Sequence, residues 1–253
     1  MISEKELLVS VVTPAYNAER FIRESIESVL NQTYNNFELI VVIDNCTDNT
    51  KAIAEEYAKK DLRVKVFETF GNKLGALGSR NFGIEKATGR FIAFLDSDDY
   101  WEPNKLEIQV KFMLENDVAF CYGNYRAKVG DEYKTFIAPK SANYKQIIKA
   151  NCIGCLTVIY DVEKLGKVYM PDGSYQREDF AAWLSVLRKI PYAYNCNEIV
   201  ATYRVVESSV SNKKRRMIKQ HWKVLRELEH HSRIKSFYYL CCQILYKLFK
   251  KSY

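Results

Sequence analysis

The acids of Asp96-Ser97-Asp98-Asp99 are the residues with the clearest potential for chemistry. They directly follow the apolar run 91–95, which reads as a buried strand. Three carboxylates within four residues repel one another, which disfavours a packing role, whereas a hard divalent cation prefers such oxygen ligands. The Asp-x-Asp spacing also places Asp96 and Asp98 on the same side of an extended segment. The pattern favours a metal site, although a solvated acidic turn fits the four residues taken alone.

A second acid pair, Glu178-Asp179, lies in the stretch QREDFAAWL, whose pattern predicts the opening of a helix. Carboxylates in a first helical turn are stabilised by the positive end of the helix dipole, which is enough to explain the pair. The residues alone therefore favour a structural role over catalysis.

The elements that must position these acids appear as alternating strand and helix patterns. Short apolar or β-branched runs predict four strands, at 8–13, 39–43, 63–67 and 91–95. Stretches of helical periodicity lie between them, and Asn17 is predicted to cap the first helix. This alternation predicts an α/β fold with a mostly parallel sheet and helices on both faces.

Polar residues follow three of the predicted strands. They are Tyr16 and Asn17, then Asp44 and Asp48, then Asp96 to Asp99. Because ligands gather at the carboxyl ends of strands in such sheets, we expect these side chains to converge on one edge.

The regular alternation of strand and helix patterns ends at about residue 101. A helix is predicted at 103–114, a hairpin around Gly130-Asp131, and further strands near 118–122, 156–160 and 199–204. Residues 1–212 read as one mixed α/β unit, followed by a tail at 213–253.

Composition is that of an ordinary globular protein: 253 residues, 47% hydrophobic and 27% charged. The first residues, MISEKELL, lack the basic-then-apolar order of a signal peptide, so we expect a location inside the cell and free thiols for the seven cysteines. Cys152 and Cys155 form a CxxC without the second pair that a zinc site needs, and their neighbours predict a buried strand.

The net charge of +7 is concentrated in the tail. Residues 213–253 contain twelve Lys or Arg and two acids, whereas residues 1–212 carry a net charge of −3. Apolar residues of the tail recur at helical spacing from Ile234 to Phe249, with lysines around them. Such a basic amphipathic helix binds anionic membrane surfaces, and its uncharged stretch 236–246 is too short to cross a bilayer. The alternative is a helix packed on the main domain.

A nucleic-acid partner is the further possibility that the basic run 213–216 raises. We expect no nucleic-acid partner, because the rest of the chain is net negative and contains no recognised nucleic-acid module.

Three segments resemble glycosyltransferase family 2, inverting enzymes with the GT-A nucleotide-sugar-binding fold. They are VSVVTPAYNAERFIRESIESVLNQTY (9–34), LIVVIDNCTDNT (39–50) and GALGSRNFGIEKATGRFIAFLDSDDYWEPNKLE (75–107), in the family's order and spacing. The resemblance continues more weakly to about residue 212. It implies transfer of a sugar from a nucleoside diphosphate sugar to an acceptor hydroxyl group, with inversion at the anomeric carbon.

The resemblance implies contacts to the base of the nucleotide at two strand ends. Thr13, Pro14, Ala15 and Tyr16 match the loop that holds the base, where an aromatic face can stack on a pyrimidine. Asp44 matches the acid that reads the base edge. Ile43 departs from the family pattern, which usually has an acid there, so base or ribose contacts are altered at that position.

The resemblance also implies how the rest of the donor is held. Arg80 matches a family arginine that helps hold the nucleotide, and Ser97 lies within the acidic motif of the nucleotide-sugar site. Asp96 and Asp98 match the acids that serve the ribose and a Mg²⁺ or Mn²⁺ ion on the diphosphate. A divalent cation can neutralise the charge that develops on the departing nucleoside diphosphate.

Glu178-Asp179 matches the family's downstream acid pair, which implies Asp179 as the catalytic base and Glu178 as the less favoured choice. Arg204 lies at the end of a predicted strand and is placed near the diphosphate, the alternative being a surface arginine. Trp183 lacks the Gln-x-x-Arg-Trp setting of the processive synthases, which favours addition of single sugars.

We therefore expect a metal-dependent transferase that uses a UDP-sugar donor. The expected acceptor is a saccharide or a polyprenyl diphosphate-linked saccharide in bacterial surface-polysaccharide assembly, reached from the cytoplasm at the inner face of the cell membrane. The rival functions are a sugar nucleotidyltransferase and a catalytically inactive, membrane-recruited nucleotide-sugar-binding module.

Overall fold

The chain forms one mixed sheet with helices packed on both faces. The computed structural model describes residues 7–69, 74–171, 177–205 and 214–249. The strands within these ranges are β1 (Val9–Ala15), β2 (Phe37–Ile43), β3 (Val64–Glu68), β4 (Phe91–Phe94), β5 (Tyr100–Trp101), β6 (Phe120–Val129), β7 (Glu132–Phe136), β8 (Ser141–Ala142), β9 (Ile159–Asp161) and β10 (Ala193–Arg204). The α-helices are α1 (Ile22–Leu30), α2 (Thr50–Lys60), α3 (Gly75–Lys86), α4 (Lys105–Glu115), α5 (Tyr144–Ile147), α6 (Val162–Leu165), α7 (Glu178–Val186), α8 (Lys214–Lys223) and α9 (Arg233–Phe249).

The first four strands form the parallel half of the sheet, as the alternating pattern predicts. The strand order is β3-β2-β1-β4-β9-β6-β10-β5, with β7 paired to β6 and β8 paired to β10. β1 lies between β2 and β4 and pairs with both in parallel. The carboxyl ends of these three strands therefore lie side by side.

The second half of the sheet differs from the sequence prediction in its details. The strand predicted near 156–160 begins as a 3₁₀ turn, Cys155–Thr157, and only its end forms β9. β9 inserts antiparallel between β4 and β6. The hairpin is confirmed, because Gly130 connects β6 to β7 with a positive φ of 60°.

Two apolar clusters cover the two faces of the sheet. One contains Val12, residues of α3 and α7, and the buried Val224 and Leu225 from the C-terminal part of the chain. The other contains Val11 and the apolar faces of α1, α2 and α4. Alternate β1 residues thus enter opposite clusters, which is the period-two pattern of a strand buried on both faces.

Asn17 does not cap the first helix, so that prediction is wrong. α1 begins five residues later, at Ile22, after a turn that starts at Ala18. Asn17 has a φ of 47°, and its side chain instead accepts a hydrogen bond from the Thr47 amide at 2.8 Å. The side chain therefore joins the loop after β1 to the loop after β2.

The C-terminal extension is helical and packs on the sheet domain. α8 passes into a π-helical turn, Val224–Leu228, and α9 follows. No helix among the described residues is both long enough and apolar enough to cross a membrane. The predicted boundary at 212–213 and the bases Lys213, Lys250 and Lys251 lie outside the described residues.

Candidate active site

Parallel pairing brings the polar residues after β1, β2 and β4 to one edge of the sheet. Ala15, the last residue of β1, is in register with Ile43, the last residue of β2. On the other side of β1, the amide of Leu95 donates to the carbonyl of Val12 at 3.1 Å. Thr13, Pro14 and Ala15 are buried residues of β1 itself and not of the loop. Tyr16, which directly follows β1, is about half exposed at 49%.

Asp44 uses its carboxylate to hold the start of α3. It accepts hydrogen bonds from the amides of Leu74 at 3.0 Å and Gly75 at 2.8 Å, and from the Thr69 hydroxyl group at 3.0 Å. Burial by itself would raise the pKa of Asp44, but these donors outweigh it and the pKa lies below its ordinary value. Asp44, the residue predicted to read the base, is therefore charged and is hydrogen-bonded to the start of α3.

The loops after β1 and β2 are locked together by side-chain caps. Thr50 accepts from the amide of Ala18 at 2.7 Å, and Asp48 accepts from the amide of Glu19 at 3.1 Å. Asp48 therefore lies at the predicted edge but acts on the backbone of a neighbouring loop. These bonds hold Tyr16, which precedes the capped turn.

The acidic turn after β4 is held by Arg204. Asp99 is buried and accepts from the Arg204 amide at 2.8 Å, while the Arg204 guanidinium donates to the Asp98 carbonyl at 2.8 Å. The same guanidinium pairs with Glu24 of α1 and lies over the ring of Tyr100 at 4.7 Å. Arg204 is therefore a buried residue that binds the acidic turn, and not a surface arginine.

The three acids of this turn differ in environment. Burial, followed by repulsion from Asp96, raises the pKa of Asp98 to about 6. Burial and the charges of Asp98 and Asp96 raise the pKa of Asp99 well above its ordinary value, against the opposing effect of Arg204. Ser97 is also buried. Asp98 is partly exposed, and Arg204 and Arg80 lower its pKa by less than burial and Asp96 raise it.

Arg80 joins the two acid groups that are far apart in sequence. From α3 it contacts Asp96 at 2.5 Å and Glu178 at 3.1 Å, and its side chain is 9% exposed. Burial opposes the charge of Arg80, but Asp96 and Glu178 favour it, so the pKa of the guanidinium rises above its ordinary value. A buried cation between two carboxylates places the start of α7 against the end of β4.

Glu178 and Asp179 occupy the first turn of α7 with different partners. Burial raises the pKa of Glu178 although Arg80 acts in the opposite direction. Glu178 is committed to the ion pair with Arg80, whereas Asp179 is partly exposed beside it. The structure thus brings the predicted acid pair to the acidic turn and gives its two members different surroundings.

The donor set at this turn suits a small divalent cation that keeps other ligands. Among the described residues no group of three or more His, Cys, Asp or Glu side chains could hold a metal ion by itself. Asp96 and Asp98 offer one or two carboxylates, which is the protein share that Mg²⁺ and Mn²⁺ take when substrate phosphates and water complete the shell. These residues therefore fit a metal held jointly with a diphosphate.

Two residues near the site were missed from the sequence. Glu24 of α1 pairs with Arg204, and Cys155 lies close enough to Arg80, Asp96 and Glu178 for their charges to influence its thiol. Burial raises the pKa of Cys155 well above its ordinary value, partly offset by Arg80. No local signal marks either residue, because the predicted helix and strand patterns explain both.

A cluster of three buried side chains, Trp101, Lys105 and Gln109, holds the 3₁₀ turn that carries Cys155. The Trp101 indole donates to the Leu156 carbonyl at 2.9 Å, and the Gln109 amide donates to the Thr157 carbonyl at 2.9 Å. Lys105 donates to Gln109 at 2.5 Å and lies 4.2 Å from the centroid of the Trp101 ring. Because the bonds from Trp101 and Gln109 end on backbone carbonyls, they position the backbone of the turn.

The mixed sheet with helices on both faces has the GT-A fold, and an acidic turn at its strand ends is joined by a buried arginine to a second acid pair. The sequence model described as Glycosyl transferase family 2 matches residues 10–161. The chain belongs to glycosyltransferase family 2 and is a glycosyltransferase.

Several known proteins are similar to this chain over most of its length. It is 44% identical over 225 residues, covering 88% of both chains, to a Bacillus subtilis protein named as a teichuronic acid biosynthesis glycosyltransferase, TuaG. It is 41% identical over 237 residues, covering 93% of this chain and 92% of the relative, to Escherichia coli WfgD, named as a UDP-Glc:alpha-D-GlcNAc-diphosphoundecaprenol beta-1,3-glucosyltransferase. The structure of S. aureus TarS with UDP-GlcNAc superposes with a TM-score of 0.74 at 21% identity, over 96% of this chain and 73% of TarS, which shows the shared fold.

We expect Lys105→Met to weaken the pH dependence of unfolding. Burial lowers the pKa of Lys105 to about 7, whereas the unfolded chain restores its ordinary value near 10.4. The unfolded state then binds more protons between these two values, so the stability of the wild type rises with pH across this window. Urea titrations at pH 7 and pH 9 should show the wild type gaining about 2 kcal/mol more than the variant.

The exposed Lys111 of the same helix supplies the control for this experiment. Lys111→Met should keep the pH dependence of the wild type. Equal pH dependence of the wild type and Lys105→Met would contradict the titration assigned to Lys105.

Proposed function

We propose that the protein transfers a sugar from a UDP-sugar, in a metal-dependent and inverting reaction, to a polyprenyl diphosphate-linked saccharide during cell-surface polysaccharide synthesis. The observation that carries this proposal is the Arg80 bridge, which holds the acidic turn and the Glu178-Asp179 pair in one site. The names of TuaG and WfgD support the process and the classes of donor and acceptor.

The donor would lie along the edge formed by β1, β2 and β4. The exposed ring of Tyr16 offers a stacking face for the base, and Asp44 follows the neighbouring strand β2 at the same edge of the sheet. Thr13, Pro14 and Ala15 would shape the base site through the backbone at the end of β1, since their side chains are buried. The diphosphate would then extend towards Ser97 and the acidic turn, near Arg80 and Arg204.

Asp96 and Asp98 would hold a Mg²⁺ or Mn²⁺ ion together with the diphosphate. When bound, such an ion supplies positive charge that stabilises the departing nucleoside diphosphate. Arg80 keeps Asp96 in place, and Arg204 fixes the backbone of the turn through the Asp98 carbonyl. Burial and the charge of Asp96 raise the pKa of Asp98, and a bound cation would oppose both effects.

Asp179 would act as the base. Its carboxylate takes the proton of the acceptor hydroxyl group as the acceptor oxygen bonds to the anomeric carbon and the bond from that carbon to the UDP oxygen breaks. Glu178 is engaged by Arg80, which leaves Asp179 as the partly exposed acid of the pair that lies outside this ion pair. Arg80 and Glu178 would position α7 relative to the donor.

The rivals differ from this proposal in their products. A sugar nucleotidyltransferase would release pyrophosphate, a binding module would release nothing, and a transferase releases a nucleoside diphosphate. We expect purified protein to release UDP from one UDP-sugar of a panel that starts with UDP-glucose, with undecaprenyl diphosphate-GlcNAc as acceptor and Mn²⁺ or Mg²⁺ present. EDTA should abolish the signal. Pyrophosphate release, or the absence of any nucleotide binding, would contradict the proposal.

The two acids of the pair can be separated by substitution. We expect Asp179→Asn to reduce kcat by about 10²-fold or more, because the acceptor proton loses its base, with little change in the Kd for UDP. Glu178→Gln keeps the shape of its side chain but weakens the pairing with Arg80, so its loss of kcat should be smaller. Full kcat in Asp179→Asn together with loss of activity in Glu178→Gln would reverse the assignment.

We also propose that the extension attaches the enzyme to an anionic membrane surface, where a lipid-linked acceptor lies. The inner face of α9 packs on the domain through Tyr239, Leu240 and Tyr246 and also buries Ser236 and Gln243, whereas an apolar stripe lies on its outer face. The outer stripe leaves large side chains in solvent, among them Ile234 at 83% and Leu248 at 70% exposure. Packing on the domain uses a different face of α9 and therefore leaves the outer face for a membrane surface.

Membrane binding should depend on the outer stripe. We expect the double variant Phe237→Ser, Leu248→Ser to reduce binding to phosphatidylglycerol vesicles by about tenfold or more, because each exposed side chain contributes about 1.5 kcal/mol or more when buried in lipid. Vesicle co-sedimentation measures this directly, and higher salt should weaken binding of the wild type. Leu62→Ser, which changes another exposed leucine far from α9 in sequence, is the matched control. Unchanged binding of the double variant would contradict the proposed surface.

A further inference from the structure

The helix that carries Glu178-Asp179 is short and depends on its surroundings. α7 has nine residues, fewer than the 12 to 15 or so that an isolated helix needs to be stable in water. Its position, and with it that of Asp179, must therefore come from the groups packed around it.

One of these groups comes from the C-terminal extension and lies at the start of α7. The ring of His221 in α8 stacks on Phe180, with centroids 4.6 Å apart and an angle of 23° between the planes. His221 is 2% exposed. Phe180 directly follows Asp179, and the guanidinium of Arg177 lies 5.7 Å from the centroid of its ring. The stack therefore fixes the turn of α7 that carries the predicted base.

A second group from the extension acts just beyond the end of α7. Glu229 is buried, and its carboxylate accepts hydrogen bonds from Arg188 and from the Tyr144 hydroxyl group. Arg188 directly follows Leu187, the residue that caps α7. Without Arg188 the buried carboxylate of Glu229 would lose its cation, so this contact favours one position of the extension.

The π-helical turn between His221 and Glu229 lets both contacts form at once. The amide of Glu229 bonds to the Val224 carbonyl at 2.9 Å, the i to i+5 pattern of a π-helix. Val224 and Leu225 are both fully buried in the cluster that contains α7. The spacing matches as well, because His221 and Glu229 are eight residues apart, as are Phe180 and Arg188. The extension thus runs beside α7 and holds it at both ends.

We propose that the C-terminal extension is a positioning element of the active site, in which His221 and Glu229 clamp α7 and so place Asp179 for proton transfer. The inference rests on the proposed role of Asp179. It goes beyond membrane attachment, since it requires the extension even where no membrane is present.

The test uses the full chain with detergent-solubilised acceptor and no vesicles. We expect His221→Ala to lower kcat by about tenfold, because a small displacement of a catalytic group reduces the rate steeply, while KM for the donor and the Kd for UDP stay within twofold. His221→Phe should restore kcat, since it keeps the stacked ring. Ile218→Ala, at an exposed position of the same helix, should behave as the wild type.

Glu229→Gln tests the other end of the clamp and serves if His221→Ala does not fold. It retains an acceptor for Tyr144 but loses the charge that pairs with Arg188, so kcat should again fall with donor KM unchanged. Lys219→Gln changes an exposed charged residue of α8 and should have no effect.

Wild-type kcat in folded His221→Ala and Glu229→Gln would overturn the clamp, as would a loss that His221→Phe does not restore. A lowered melting temperature with unchanged kcat would also overturn it, because that outcome describes a purely structural contact. Failure of the proposed function is distinct, since the wild type itself would then transfer no sugar.

Discussion

The site depends on one buried cation. Arg80 lies between Asp96 and Glu178, and moving its guanidinium out of water costs free energy that only pairing with both carboxylates offsets. Without Arg80 the acidic turn would gather uncompensated negative charge, and α7 would lose its ion pair to that turn. The close approach of α3 to the sheet makes this placement possible: a Cβ atom on Gly83 would come within 2.4 Å of Val12, so only glycine lets the helix lie so near.

A second set of interactions fixes the acidic turn and the neighbouring turn of Cys155. Arg204 reaches from the last strand to the acidic turn, and the Lys105, Gln109 and Trp101 group holds the turn of Cys155. Several contacts of these residues end on backbone carbonyls, those of Asp98, Leu156 and Thr157, and so set the path of the chain.

The C-terminal extension links this site to the outside of the molecule. Its inner residues enter the same apolar cluster as α7, while the outer stripe of α9 stays in solvent. The amphipathic pattern in the sequence describes a helix with one apolar face, but the folded helix has apolar residues on two. Periodicity reports which residues are apolar, and only the neighbouring elements decide which of them are covered.

The sequence by itself determined the parallel half of the fold, the acidic turn and the acid pair, because these depend on local patterns of apolar and charged residues. Parallel pairing of β1 with β2 and β4 then confirmed the predicted convergence of strand ends. Tertiary structure alone decided what those residues do to one another. The insertion of β9 between β4 and β6, the pairing of Glu24 with Arg204, and the meeting of Arg80 with Glu178 across 98 positions join distant segments. Local periodicity carries no information on such contacts, because they arise only when separate elements pack on one core.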